Sequence, residues 1–179
     1  MLKSKSTCLI LLSVALLALA GCTEHTFGGD RSEVSPIADQ TVVQAIRYLD
    51  DNTEGPSYQI TVTVPEAWAA QFEVENRGNA IVFRYLRGPE ETRVAAPFLF
   101  IDALSNEQYW EQIGSYPGQF TNISNTADTY FVYHHPIDEF YLRISEDDFE
   151  ALVDAVPEVI RSVEIVRQDR IPALAAGGR

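Results

Sequence analysis

The side chains best suited to chemistry lie near the middle and end of the chain. His134 and His135 stand together, with Asp138 and Glu139 just beyond Pro136. Imidazoles and carboxylates are zinc-ligand types. Adjacent strand residues point to opposite faces, however, so both imidazoles reach one ion only if the chain bends at Pro136. His134 and Asp138 could converge across that turn, which makes His134, His135 and Asp138 weak metal candidates. Glu146, Asp147, Asp148 and Glu150 form an acidic run without the EF-hand spacing or its central glycine. A helix N-terminus accounts for them as well. Trp68, Tyr109, Trp110, Tyr116 and Phe120 are aromatics that could line a pocket, meet a partner or fill a core. Tyr116, Pro117 and Phe120 bracket a loop suited to recognition. The catalytic signatures G-x-S-x-G, H-E-x-x-H, the phosphate-binding loop and the dinucleotide fingerprint are absent. The chain reads as a non-enzyme, with no cofactor.

The start of the chain carries a different message. Lys3 and Lys5 precede an apolar run from Cys8 to Ala20, then Leu19-Ala20-Gly21-Cys22. A bilayer-spanning helix needs about 20 apolar residues, and this run has signal-peptide length. The tetrapeptide resembles the bacterial lipobox, in which the cysteine is lipidated before cleavage. An ordinary cleaved signal and an uncleaved anchor are the alternatives. The resemblance implies residues 1–21 as a lipoprotein signal, Cys22 as the lipidated first residue, and an extracytoplasmic, lipid-anchored location. Thr23 in place of Asp leans toward the outer membrane where a cell has two.

The whole chain of 179 residues carries a formal charge of −13. Processing would remove both lysines and Cys8, leaving arginine as the only strong cation and no free thiol. Disulfides, thiolate nucleophiles and lysine Schiff bases are then excluded. Nucleic-acid binding needs a basic footprint that this chain lacks. The same charge repels anionic headgroups, so the lipid must do the anchoring.

The elements needed to place these side chains are mostly strands. Residues 22–38 are polar, contain Gly28-Gly29 and Pro36, and read as a flexible tether; residues 169–179 read as a loose tail. Between them, residues 39–168 suffice for one core. Tyr58, Ile60, Val62 and Val64 alternate with polar residues, which predicts a half-buried strand stopped by Pro65. A short turn or helical turn with Trp68 follows. Arg77-Gly78-Asn79 predicts a hairpin loop. Residues 94–104 are almost wholly apolar, as in a central strand covered on both faces, with pairing expected to begin after Pro97. Ser105 and Gln108 predict a capping box, opening a short helix that ends at Gly114 and turns Trp110 and Ile113 to the core. Residues 120–124 and 129–135 predict strands. Ser145 starts a terminal helix that Pro157 should kink or split, and residues 163–166 an edge strand. Residues 41–49 fit helix or strand, with a strand paired to residues 58–64 preferred. The order predicts an α+β fold, an antiparallel β-sheet with helices packed on it.

Tyr58-x-Ile60-x-Val62-x-Val64-Pro65-x-x-Trp68 resembles the strand–turn–Trp opening of PsbP-like domains, named after an extrinsic subunit of photosystem II. Val82-Phe83, Phe98-Leu99-Phe100-Ile101, Tyr130-Phe131-Val132-Tyr133 and Ile160-Arg161-Ser162 follow in the same order. The resemblance covers most of residues 58–166. It implies an α/β/α arrangement and an accessory or docking role, with no shared catalytic machinery; with the anchor, the tether and the missing catalytic motifs, the expected target is an envelope protein or complex. The resemblance carries over no functional residue. A small-ligand or metal-binding module is the alternative.

Overall fold

The computed structural model describes residues 32–136 and 144–168. Strand β1 (Glu33–Pro36) is followed by β2 (Thr41–Ile46), a small hairpin of β3 (Leu49–Asp50) and β4 (Thr53–Glu54), and β5 (Tyr58–Thr63). Helix α1 (Glu66–Gln71) leads into β6 (Phe72–Asn76), β7 (Ala80–Arg87) and β8 (Val94–Ser105). Helix α2 (Asn106–Ser115), β9 (Thr121–Asn125), β10 (Thr129–His134), α3 (Glu146–Arg161) and β11 (Glu164–Arg167) complete the order.

All pairings are antiparallel. The strands form not one sheet but a six-stranded sheet in the order β1-β6-β7-β8-β10-β9 and a three-stranded sheet β11-β5-β2, beside the small hairpin. The fold is α+β. Its core lies between the sheets: Tyr58, Ile60, Val62 and Val64 meet Phe72, Val74, Ile81, Phe83, Leu99, Ile101 and Phe131. Helix α3 adds Leu152, Val156 and Val159, an i, i+4, i+7 stripe, and α1 adds Trp68. Helix α2 lies on the opposite side of the six-stranded sheet.

Four expectations change. Glu33–Pro36 belongs to the sheet and not to the tether, because it pairs with β6 while Ile37 is buried in the core. Helix α3 is not split at Pro157, running as one helix from Glu146 to Arg161. Proline removes one N–H, and Val156 and Val159, buried on either side of it, hold the helix against the core. Pairing of β8 with β7 starts at Val94, ahead of Pro97, with a bulge at Phe98 where the register steps from Phe83↔Leu99 to Arg84↔Pro97. On the β10 side it starts at Phe100, clear of the proline. Helix α2 continues past Gly114 to Ser115. The hairpin loop at residues 77–79 forms as its sequence requires, Gly78 supplying φ +82°.

Candidate functional site

Helix α2 is pinned at its start. Ser105 Oγ accepts from Gln108 N at 3.1 Å, and Ser105 N donates to Gln108 Oε1 at 3.0 Å, which completes the capping box. Ser105 Oγ also donates to Asp50, and Gln108 Nε2 to the Leu49 carbonyl, so the β3–β4 hairpin braces this end. Tyr109 then stacks flat on Tyr130, ring centres 3.9 Å apart and planes 6° from parallel. These contacts turn residues 106, 107, 110, 111, 114 and 115 to solvent.

Trp110 is therefore not a core residue. It is 63% exposed and meets Tyr109 and Tyr130 in T-shaped contacts. Tyr109–Ile113 and Trp110–Ile113 are equally good helical spacings, and the stack on Tyr130 decides between them. The chain then turns at Tyr116-Pro117-Gly118-Gln119, Gln119 N donating to the Tyr116 carbonyl, with Gly118 at φ +84° after the proline. Tyr116 is 49% exposed and Pro117 is exposed. Phe120 instead packs inward on His134, ring centres 4.7 Å apart.

His134 and His135 part company as strand alternation requires. His134 lies on the outer face of the six-stranded sheet, stacked on Phe100 at 4.6 Å, with Nε2 2.9 Å from Asp102 Oδ2 and Nδ1 3.1 Å from the His135 carbonyl. Both ring nitrogens face acceptors. His135 turns the other way, its Nδ1 2.9 Å from the Phe98 carbonyl and its ring against Phe98. One ion cannot take both. Asp138 lies outside the described residues, among which no group of three His, Cys, Asp or Glu is placed to hold a metal. Asp102 was not singled out from sequence. A lone carboxylate inside an apolar strand is the signal that would have found it, because a buried charge demands a partner.

The outer face continues as an ion-pair ladder. Arg77 lies over Phe100 and binds Glu75 through Nε at 3.0 Å and through a second nitrogen at 3.1 Å. Arg84 joins Glu73 at 2.8 Å and Glu75 at 3.6 Å. The hydrogen bond from Arg77 holds the Glu75 carboxyl below its ordinary 4.5, against the opposing pull of burial. At the far end of the sheet Asp128 accepts from Thr126, Tyr58 and Thr129 and pairs with Arg167 at 3.2 Å. Burial would raise Asp128, but those hydroxyls and the Arg167 charge outweigh it and keep the carboxyl below 3.8. Tyr58 and Arg167 belong to the three-stranded sheet, so Asp128 ties the two sheets together.

Both carboxyls are held below their unfolded values, so their stabilisation is full above those values. It is lost as pH falls through the lower, folded ones. The melting temperature should hold steady from neutral pH to about pH 5 and fall below about pH 4.5. Glu75→Gln and Asp128→Asn should each melt lower at pH 7 and show a shallower acid slope in a pH-resolved thermal melt. Parallel slopes in wild type and both variants would refute this.

A cleft of about 360 Å³ lies between α1 and α3, lined by Pro65, Trp68, Gln71, Tyr85, Asp148 and Leu152 among others. Asp148 belongs to the cap of α3, where Ser145 Oγ accepts from its N–H at 3.2 Å and donates to its carboxylate at 2.6 Å. The acidic run is thus a helix start. Among the described residues no helix is long and apolar enough to cross a membrane. No family model matches the chain, and comparison with curated proteins and with solved structures finds no match.

Proposed function

We propose that this is a lipid-anchored extracytoplasmic protein, held at a bacterial membrane through Cys22, whose domain docks onto an envelope protein or complex through α2 and the loop after it. The observation that carries the reading is Trp110, a large aromatic held outward on a braced helix. Exposed aromatics with fixed orientation are typical anchors of protein interfaces. Tyr116 and Pro117 extend the same side of the molecule. A PsbP-like arrangement is part of this proposal. Its support is the layering, with α2 on one side of the large sheet and α3 in the core on the other.

The test is crosslinking of the full lipoprotein in cells, followed by purification and mass spectrometry. The expected result is one envelope protein at near-equal stoichiometry, lost in Trp110→Ala and reduced in Tyr116→Ala. A protein that stays monomeric and partnerless in its native membrane would end the docking reading.

A further inference from the structure

We infer that the outward face of α2 receives a cationic protein segment, with an arginine or lysine of the envelope partner seated on Trp110 between Glu107 and Glu111. This rests on the docking reading and names the chemistry of the partner. Trp110 has Glu107 one turn before it and Glu111 next to it, all on the solvent face. Neither carboxylate has a hydrogen bond or ion pair among the described residues. The helix has no basic residue in its last turn, so its negative C-terminal end is also uncompensated. A Cβ added at Gly114 would meet nothing within 4 Å, so the surface one turn beyond the indole is open.

From residue 106 to residue 120, across α2 and the loop after it, the sequence contains no lysine or arginine, against Glu107 and Glu111. An indole face attracts a guanidinium or ammonium, and flanking carboxylates strengthen that attraction while repelling anions. A wholly apolar partner would bury Glu107 and Glu111 without compensation, which is costly. A second copy of the chain would bring the same negative face to the contact.

The experiment places a photo-crosslinking amino acid at Gly114 of the full lipoprotein in its native membrane. Crosslinked peptides are then mapped. The expected crosslinks fall on a partner segment that carries arginine or lysine. Trp110→Ala should lower the crosslink yield about 30-fold, the loss typical of an interface anchor. Glu107→Gln with Glu111→Gln should lower it about fivefold and remove most of its dependence on salt. Unchanged melting temperatures in these variants keep a folding defect from imitating the effect. A yield indifferent to the double glutamine variant, or a crosslinked segment without a cation, would overturn the inference and leave the docking reading standing, whereas crosslinks to a second copy alone would overturn both. Absence of crosslinks from position 114 while whole-cell crosslinking still recovers the partner would overturn the inference too. Recovery of no partner by either route would defeat the docking reading itself.

Discussion

Trp68→Ala should cost about 3–5 kcal/mol, a large share of the 5–15 kcal/mol that usually holds a domain folded. Trp68 is 2% exposed and stacks on Phe72, ring centres 4.4 Å apart, with its edges toward Phe83 and Phe98. It is also the one buried residue of α1, a six-residue helix whose N-cap position is Pro65, with no side-chain cap. A helix this short has little stability of its own, so the indole holds α1 to the sheet. Its removal would enlarge the neighbouring cleft instead of letting the core close. In urea, followed by far-UV circular dichroism on detergent-solubilised protein, the midpoint should drop by about 2–3 M for a domain of this size. Trp68→Phe should recover part of the loss. A drop of less than about 0.5 M in the alanine variant would show that the site collapses freely.

The second large effect concerns Cys22. If it carries a diacylglyceryl group, Cys22→Ser should abolish incorporation of an alkyne-tagged fatty acid altogether, since the thiol is the only acceptor for that lipid. Replacing residues 1–22 with an ordinary cleaved secretory signal should then move the protein from the membrane to the soluble extracytoplasmic fraction. Each buried CH₂ contributes about 0.8 kcal/mol, so two chains anchor where one would exchange. Fatty-acid labelling that persists in Cys22→Ser, or a protein without its acyl chains that still sediments with membranes in high salt, would count against lipid as the anchor.

Much of the fold was legible because its signals were local. Alternation over residues 58–64, the hairpin glycine at 78 and the Ser105–Gln108 box each specify one backbone geometry from a few neighbouring residues. What the sequence could not show was non-local. Glu33–Pro36 has no hydrophobic period, and its place as an edge strand depends on β6, some forty residues away. Division into two sheets depends on which faces meet across the core. At the site, strand alternation correctly separated His134 from His135, whereas the pairing of His134 with Asp102 and Phe120 needed the register of β8 and β10. The direction of Trp110 was open because α2 offers two apolar spacings and only Tyr130 breaks the tie.

The pairing of β1 with β6 also sets a leash length. Pairing begins at Glu33, so only eleven residue steps separate the proposed lipid on Cys22 from the fixed body of the domain. Fully extended, they reach at most about 40 Å. The domain would patrol a thin layer over the bilayer, and a target beyond that layer would be out of range however well its surface matched. Within the layer, confinement raises the encounter rate at no cost in contact area, so a weak contact on α2 would suffice. Inserting flexible residues before Glu33 would widen the layer and dilute the domain within it.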